Sequence, residues 1–425
     1  MVTDVLSDLA FRELAYQQTN AEGLRQHLLA PRTLYCGFDA TAPSLTIGNL
    51  VPILLLARFQ RAGHRPVVLL GGGTGLIGDP SGKSAERLLL TPDEVERNVE
   101  GQRRIFERLI DFSGSNAGEL VNNADWLSQL GFLEMLREVG KHFSVNMMIQ
   151  KDSIRERLSS REQGISYTEF SYLLLQAYDF RYLYDTRGVT LQVAGADQWG
   201  NIVPGVDLIR RTRQVEAFGL TAPLVSRADG GKFGKTESGA IWLTADRTSP
   251  YAFYQFWLNV ADADVPRYLK TFTLLEHARI DELIEQHARS PGERAAQRAL
   301  AAEVTELLHG RTAREQAEAT TRALFSGDVS SLSREALAEA FEHAPSIELD
   351  KSRLAAPGIE LTELLVQGGV AKSKREAREF IASGAISVNG RRDALDANIT
   401  SASLLHGELL VIRRGKKSWH VFRAR

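Results

Sequence analysis

Apolar and polar positions along the first half of the chain follow two periods, one typical of buried strands and one of helices. Short apolar runs at 33–38, 66–70 and 189–194 predict buried strands, and each run ends in glycine or polar residues. Helical patterns at 4–30 and about 50–62 lie before and between these runs. Strands that alternate with helices are typical of a parallel, nucleotide-binding sheet. The pattern therefore predicts an α/β fold with a Rossmann-like parallel sheet.

The stretch 35–83 places polar groups at the ends of two predicted strands. It opens with Tyr35-Cys36-Gly37-Phe38-Asp39 and continues through Thr46-Ile47-Gly48-Asn49 into an apolar helix. After the strand 66–70 it closes on the glycine-rich residues 71–83. The carboxyl ends of strands are where open α/β sheets bind ligands. The helix that follows Asn49 adds free N–H groups and a positive dipole end, which suit a phosphate.

The glycine-rich loop is similar to a Walker P-loop, but its spacing excludes that motif. Three residues separate Gly78 from Gly82, where the motif needs four, and Ile77 holds the required glycine position. Asp79 would also place a carboxylate inside the phosphate cradle. We therefore expect Asp79 to hold a cation, such as the ammonium group of a ligand.

A polar stripe marks the next informative helix. Ser166-Tyr167-Thr168-Glu169 fits a capping box and predicts a helix from about Tyr167 to Phe180. Tyr172, Gln176 and Asp179 fall at i, i+4 and i+7 and therefore share one face. A solvated face is the alternative, but the apolar remainder of the helix leaves little of it for solvent. We interpret the stripe as the wall of a polar pocket.

Two later segments add further candidate chemistry. Residues 195–201 read Gly-Ala-Asp-Gln-Trp-Gly-Asn and follow the predicted strand 189–194. Residues 229–236 carry two lysines and a threonine in a glycine-rich loop, and ammonium groups beside a hydroxyl suit a triphosphate. Taken alone, this loop would be interpreted as a basic surface turn.

The C-terminal half is helical and then mixed. Residues 248–325 are almost entirely compatible with helices, and basic residues at 372–378 lie on one predicted helix of the tail. The Asn389-Gly390 turn and the stretch 409–422 predict two β-hairpins. We predict a parallel-sheet domain with a helical insertion, the lysine loop with an α-helical domain, a linker, and a small α+β domain. The predicted boundaries are 1–230 (insertion at about 120–165), 231–325, 326–357 and 358–425.

Composition is that of an ordinary soluble globular protein. The 425 residues are 43% hydrophobic and 24% charged, which allows two to four domains. The apolar run near the front is too short to span a bilayer, and the N-terminus lacks the basic region of a signal peptide. The single cysteine, Cys36, excludes an internal disulfide and favours a cytoplasmic location.

The net charge of −2 hides an asymmetry between the tail and the rest of the chain. Residues 351–425 contain 14 Lys and Arg against 7 Asp and Glu, whereas the remainder contains 37 against 46. A basic tail on an acidic body indicates a polyanionic partner. A basic solvated surface is the alternative. We favour nucleic acid because the basic residues occupy motif-like positions.

Together these motifs resemble those of bacterial tyrosyl-tRNA synthetases, in the order of that family and over residues 30–240. The tail from Leu361 resembles the RNA-binding domain named for ribosomal protein S-four. The resemblance implies a class I catalytic domain that forms a homodimer, ATP as a substrate with Mg²⁺, and no tightly bound cofactor or metal site. It also implies two reactions, in which ATP activates L-tyrosine to tyrosyl-adenylate and tRNA(Tyr) then accepts the tyrosyl group.

The resemblance also implies a role for each matching residue. Tyr35 and Asp179 would bind the substrate phenol, Asp79, Tyr172 and Gln176 its ammonium group, and Gln198 would lie near its carboxylate. The ATP side would be lined by Cys36, Gly37, Asp39, Gly48, Asn49, Gly195, Asp197 and Lys235. The activation step and the leaving pyrophosphate would be served by Thr41, Thr46, Lys83, Arg87, Lys232, Lys235 and Thr236. The tRNA would contact Lys372, Lys374, Arg375, Arg378, Arg413, Arg414, Lys416 and Lys417.

One motif departs from the family pattern. Class I synthetases usually carry His-Ile-Gly-His where this chain has Thr46-Ile47-Gly48-Asn49. Threonine donates a hydrogen bond but cannot become cationic, so the lysine loop would have to compensate. Two alternatives remain at this point: a tryptophanyl-tRNA synthetase, which shares the catalytic fold, and an RNA-binding regulator that has lost catalysis.

Overall fold

A computed structural model describes most of the chain and divides it into two compact units. Unit 1 comprises Met1–Thr248 and Trp257–Leu308, and unit 2 comprises Ser249–Phe256 and His309–Arg425. The described residues are 4–81, 89–151, 154–155, 165–231, 233–236, 239–342, 344, 346–392, 398–415 and 418–425. No helix within these ranges combines the length and the hydropathy that a membrane crossing requires.

The main sheet of unit 1 is parallel except at one edge. Its strands are β1 Gln17–Gln18, β2 Thr33–Asp39, β3 Arg65–Gly71, β4 Glu119–Asn122, β5 Val189–Gly195 and β6 Phe218–Ala222. They lie in the order β1-β6-β5-β2-β3-β4, and among the described strands of this sheet only the β1–β6 pair is antiparallel. The chain order reverses between β2 and β5, and open α/β sheets bind their ligands at such a switch point.

Helices flank this sheet. Those that begin in unit 1 are α1 Val5–Phe11, α2 Ala21–His27, α3 Leu50–Arg61, α4 Pro92–Leu109, α5 Ala124–Leu127, α6 Phe132–Glu138, α7 Val145–Ile149, α8 Tyr167–Arg187, α9 Trp199–Arg213, α11 Val265–Phe272, α12 His277–Arg289 and α13 Ala295–His309. Helix α10, Pro250–Leu258, begins in unit 2. The short strands β7 Lys235–Thr236 and β8 Gly239–Ala240 pair with each other.

Local sequence signals account for several helix boundaries. Thr91 and Glu94 form a capping box at the start of α4, with Pro92 in the first turn. Ser166 caps α8, which runs past the predicted end and stops where Gly188 adopts a left-handed φ of 63°. The aromatic rings of Tyr35 and Phe180 meet in the core between β2 and α8, with centroids 5.2 Å apart. This packing fixes α8 over the switch point.

Unit 2 contains a second, smaller sheet. Its helices are α14 Arg311–Ser326, α15 Arg334–Ala340, α16 Leu361–Gln367 and α17 Lys374–Ala382, and its strands are β9 Ser346–Leu349, β10 Ile386–Val388, β11 Leu409–Arg414 and β12 Ser418–Ala424. The order is β10-β11-β12-β9, with β9 parallel to β12. The predicted hairpin over 409–422 is confirmed. Asn389 and Gly390 do form a turn at positive φ, but β10 pairs along its length with β11.

The predicted fold class is confirmed: a Rossmann-like parallel sheet is followed by helices and then by a small α+β region. One detail of the tail was wrong, because Lys372 lies before the cap residue Ser373 and so does not belong to helix α17. Helix α15 and strand β9 fall within the segment expected to be a linker. The four domain boundaries stay predictions.

Candidate active site

The crevice at the switch point is centred on the carboxyl end of β2. Side chains alternate along a strand, so Tyr35, Gly37 and Asp39 share one face of β2. The Asp39 carboxylate accepts hydrogen bonds from Thr74 Oγ1 at 2.7 Å and from Tyr172 Oη at 2.9 Å. Burial and the carboxylates of Asp39 and Asp79 raise the pKa of Tyr172, so its hydroxyl remains a donor. Asp39 thus joins β2, the loop after β3 and helix α8.

Asp179 lies at the bottom of the crevice with its carboxylate held from two sides. Asn123 Nδ2 donates to Oδ2 at 2.9 Å, and Trp126 Nε1 donates to Oδ1 at 2.7 Å. Burial raises the pKa of Asp179 to about 7; the bonds from Asn123 and Trp126 act in the opposite direction, and Asp39 adds a smaller increase. The carboxylate is therefore oriented by donors but remains close to its titration point at neutral pH.

Tyr35 brings a second polar group to the same place. The side chain is fully buried, and Tyr35 Oη has no hydrogen-bond partner among the described residues. Burial, with Asp179 as the next contribution, raises the pKa of this phenol well above its ordinary value. Buried hydroxyls are normally hydrogen-bonded. A protonated donor thus lies close enough to the buried Asp179 carboxylate for the two to interact electrostatically.

A second carboxylate, Asp79, forms the centre of a neighbouring network. Its side chain accepts hydrogen bonds from Gln198 Nε2 at 2.7 Å and from Ser81 N at 2.9 Å, with Asn201 at 3.4 Å. Gln176 Nε2 donates to Gln198 Oε1 at 3.4 Å. The structure therefore brings Asp79, Gln176 and Gln198 together, although these residues are far apart in the sequence.

Lys151 adds a cation that the sequence analysis missed. Its ammonium group donates to Asn201 Oδ1 at 2.5 Å and to Ser81 Oγ at 3.3 Å. Burial lowers the pKa of Lys151, while Asp79 and Asp197 oppose this shift. The lysine therefore partly neutralises the acidic side of the crevice. Its place in a charged, helical segment gave no signal of this contact.

The Thr46–Asn49 motif, which departs from the family pattern, packs against the lysine loop. Thr46 donates to Asn49 Oδ1 through both its backbone N and its hydroxyl, each at 3.1 Å, so the two replacement residues bond to one another. Ile47 N donates to Ile241 O at 2.9 Å, and Ile241 N donates to Gly234 O at 3.0 Å. Because Lys235 follows Gly234 directly, the structure places one lysine of the loop beside the Thr46–Asn49 motif.

The residues predicted to line ATP form fewer hydrogen bonds than those around Asp79 and Asp179. Gly37 and Gly48 are exposed, and a Cβ atom at either would make only ordinary van der Waals contact, 3.7 Å from Leu69 Cδ2 and 3.9 Å from Thr46 Oγ1. Cys36 is buried, and burial together with the nearby Asp197 raises the pKa of its thiol. Asp197 is exposed and close to Gly195, where a Cβ atom would come within 2.7 Å of its carboxylate.

The loop after β2 is supported by two buried amides that sequence reasoning also missed. Asn98 Nδ2 donates to Ala40 O at 2.9 Å, and Gln102 Nε2 donates to Ala42 O at 2.9 Å. Both residues lie on α4 and hold the segment that leads to Thr41. Polar residues at i and i+4 on the buried face of a predicted helix were the available signal.

Several predicted site residues lie outside the described residues: Lys83, Arg87, Lys232, Lys416 and Lys417, together with the side chain of Thr236. In the tail, Lys372, Lys374, Arg375 and Arg378 are exposed. Lys374 pairs with Glu360 at 3.0 Å, and Arg375 pairs with Glu379 at 3.2 Å. Arg413 lies over the ring of Trp419, and Arg414 over that of Phe380.

Comparisons with known proteins place this geometry in a family. The model "tRNA synthetases class I (W and Y)" matches residues 29–326, and the "Tyrosine--tRNA ligase SYY-like C-terminal domain" matches residues 336–422. A C-terminally truncated mitochondrial tyrosyl-tRNA synthetase from Coccidioides posadasii shares the fold, with a TM-score of 0.65 and 32% identity over 74% of this chain and 90% of that one.

Relatives that match over nearly the whole chain decide between tyrosine and tryptophan as the amino acid of this family. A Tyrosine--tRNA ligase from Roseiflexus castenholzii is 50% identical over 99% of this chain and 100% of its own, and one from Chromobacterium violaceum is 52% identical over 98% and 97%. The chain belongs to the tyrosyl-tRNA synthetases. It is an enzyme that uses ATP to join tyrosine to tRNA. The two alternatives, a tryptophanyl-tRNA synthetase and an RNA-binding regulator without catalysis, are therefore rejected.

Proposed function

We propose that the crevice holds tyrosine with its phenol between Tyr35 and Asp179 and its ammonium group beside Asp79, Tyr172 and Gln176. The observation that carries this proposal is the buried pair of a Tyr35 hydroxyl without a described partner and an Asp179 carboxylate oriented by Asn123 and Trp126. Phenylalanine would leave the buried Tyr35 hydroxyl without a partner and would offer no hydroxyl to the Asp179 carboxylate, and such a loss is a strong basis for rejection.

The activation step follows from the groups that surround this pocket. The tyrosine carboxylate is already a nucleophile, so no general base is needed. One of its oxygens attacks the α-phosphorus of ATP, and the bond from that phosphorus to the bridging oxygen breaks to release pyrophosphate. We assign stabilisation of the developing phosphoryl charge to Thr41, Thr46, Lys83, Arg87, Lys232, Lys235 and Thr236. Asn49, Gly48, Cys36, Gly37, Asp39, Gly195 and Asp197 would line the nucleotide.

Magnesium is proposed to arrive with ATP. In the part of the chain that the structure describes, no three His, Cys, Asp or Glu side chains are grouped to hold a metal ion. Mg²⁺ prefers to keep waters and phosphate oxygens as ligands, so the nucleotide itself suits it. The ion would add to the neutralisation of the triphosphate that the lysines provide.

The test of the tyrosine pocket is the ratio of tyrosine to phenylalanine in ATP–pyrophosphate exchange. We expect Tyr35→Phe to lower kcat/KM for tyrosine far more than for phenylalanine, because only tyrosine offers a phenol oxygen to the lost hydroxyl. Tyr16→Phe is the matched control, since Tyr16 is 62% exposed. An unchanged ratio in Tyr35→Phe would reject the assignment.

The basic tail is proposed to bind tRNA(Tyr) through Lys372, Lys374, Arg375, Arg378, Arg413, Arg414, Lys416 and Lys417. Arg375→Glu should weaken tRNA charging and reduce the salt slope of tRNA binding by about one for each lost phosphate contact. It should leave pyrophosphate exchange unchanged. Arg103→Glu is the control, because Arg103 is also an exposed helical partner of a glutamate. Equal effects of the two variants would contradict the proposal.

We further propose a homodimer formed through the catalytic domain. Helices α6 and α7 expose an apolar band, in which Leu133 is 76% and Phe132 is 64% exposed. Contiguous exposed apolar surface of this kind is typical of interaction sites. Leu133→Glu should therefore give a monomer in sedimentation analysis, whereas Leu29→Glu, at a site that is 72% exposed outside the band, should not. A Leu133→Glu variant that stays dimeric would place the interface elsewhere.

The remaining proposals concern location and domains. A cytoplasmic enzyme fits the single buried thiol of Cys36, because disulfides are rare in that compartment. The four segments with boundaries at 230, 325 and 357 remain our division of function among catalysis, anticodon recognition, linkage and RNA binding. Limited proteolysis followed by mass spectrometry of the fragments would test the boundaries.

A further inference from the structure

Phe233 is an unusual residue in the glycine- and lysine-rich loop 229–236, and its ring is held by other rings. It stacks on Phe272, with centroids 5.1 Å apart and planes at 19°, and meets Tyr268 edge-on at 5.1 Å. The ring of Trp257 lies 6.1 Å away. Trp257, Tyr268 and Phe272, which we call the aromatic platform, are each at most 2% exposed. All three also contact one another.

Helix α11 carries two members of the platform and also holds the start of the loop. Tyr268 Oη donates to Ser226 O at 3.2 Å, and Arg267 donates to the same oxygen. Asp264, the residue before α11, accepts a hydrogen bond from Ala228 N at 2.8 Å. The loop is therefore attached to α11 before its lysines and again at Phe233, which stands between Lys232 and Lys235.

The other end of α11 is fixed to helices of the catalytic sheet. Arg12, the C-cap residue of α1, donates to Thr273 O at 3.0 Å and Leu275 O at 2.7 Å, and Arg58 of α3 donates to Thr271 O and Thr273 O, both at 2.9 Å. Cationic donors suit the carbonyls at a helix C-terminus. Helix α3 is the one that begins after the Thr46–Asn49 signature, so α11 is tied to that signature through α3.

Gly234 completes the connection on the opposite side of Phe233. Its φ is 75°, and a Cβ atom there would come within 2.4 Å of Ile47 Cγ2, so glycine is required for the approach. The two residues between the lysines therefore contact different parts of the structure. Phe233 packs on the aromatic platform, and Gly234 packs against the Thr46–Asn49 motif. A glycine-rich loop without such attachments would lose conformational entropy whenever its lysines were brought to a ligand.

We propose that Phe233 is a positioning residue for tyrosine activation, whose packing on the aromatic platform sets Lys235 against the Thr46–Asn49 motif. This inference rests on the proposed contact of Lys235 with the leaving pyrophosphate. The phenyl group does not touch the reacting atoms. It acts by fixing the backbone that carries the ammonium group of Lys235, and such preorganisation favours the transition state over the bound ground state.

The experiment uses the full-length enzyme and stopped-flow measurement of tyrosyl-adenylate formation, which separates the rate constant from the tyrosine dissociation constant. For Phe233→Ala we expect the rate constant to fall about tenfold or more, equivalent to about 1.4 kcal/mol of transition-state stabilisation. The tyrosine dissociation constant should stay within about twofold. Phe233→Met should recover much of the rate, because a thioether packs well against aromatic rings. Limited trypsin digestion should cut Phe233→Ala faster after the lysines at 232 and 235.

Two control variants allow each outcome either to support or to overturn the proposal. Phe112→Ala, at a partly exposed ring outside the platform, controls for the loss of a phenyl group. Lys235→Ala tests the proposed contact itself: if it leaves the rate constant unchanged, the assignment of the loop fails. If Lys235→Ala slows activation but Phe233→Ala does not, only the positioning role is overturned. A Phe233→Ala enzyme with equal losses in tyrosine affinity and rate, or without recovery in Phe233→Met, would also overturn it.

Discussion

Trp126→Phe gives the sharpest test of how the pocket controls the charge on Asp179. The change removes the Nε1–H donor that lies 2.7 Å from Asp179 Oδ1. It keeps an aromatic ring for the stacking on Tyr182, whose centroid is 4.4 Å away. The variant therefore isolates one hydrogen bond to a carboxylate whose pKa burial has already raised to about 7.

The magnitude follows from the value of a hydrogen bond to a charged group, about 1.5–3 kcal/mol. One pKa unit corresponds to about 1.36 kcal/mol, so loss of the bond should raise the pKa of Asp179 by about one to two units. If the ionised carboxylate binds the phenol, a shift of this size lowers kcat/KM for tyrosine about three- to twenty-fivefold at pH 7.5. At pH 9 the variant should come within about twofold of the parent enzyme, because about half or more of its Asp179 is ionised again.

The assay is tyrosine-dependent ATP–pyrophosphate exchange from pH 6 to 9, fitted for kcat/KM. Trp419→Phe, which makes the same change in strand β12, is the control and should follow the parent profile. A midpoint that is unchanged or lower in Trp126→Phe would refute the reasoning. A uniform loss at every pH would show that the indole acts by packing and not by holding charge.

Two further predictions concern Gly71, at the end of β3, and Thr46, in the motif before α3. Gly71→Ala would place a methyl group 2.5 Å from both Asp39 Oδ1 and Thr74 Oγ1, so we expect it to cost about 1–3 kcal/mol in stability and to slow pyrophosphate exchange; thermal unfolding and exchange rates check this. We expect no faster activation from Thr46→His, because the Asn49 oxygen would lose the hydroxyl donor that Thr46 now provides. A faster first step in that variant would show that the threonine is a handicap.

Much of the fold could be predicted because its signals are local. Strand β2, helix α3 and the cap of α8 follow from short apolar runs and from single residues at helix ends. The stripe of Tyr172, Gln176 and Asp179 likewise needed only the period of a helix. Residue types at strand ends and on one helix face thus indicated where a ligand would bind, whereas the role of each residue came from the family resemblance.

The supporting residues could not be predicted because their contacts are distant in sequence. Asn123 and Trp126 follow β4 but act on Asp179, more than 50 residues later. Lys151 meets Ser81 and Asn201 from a segment whose composition indicates only a charged helix. Such contacts depend on which strands become neighbours in the sheet, and sequence periodicity does not contain that order.

The alternation of side chains along β2 carries a consequence for how this enzyme can change. Tyr35 and Asp39 reach the crevice because they stand an even number of positions apart, while Phe38 points into the opposite layer and packs on Phe106 of α4. A one-residue deletion inside β2 would exchange the two sets and turn away from the crevice the polar groups that we propose bind tyrosine and ATP. Lineages of this enzyme should therefore accept substitutions within the strand but confine changes of length to the loops on either side.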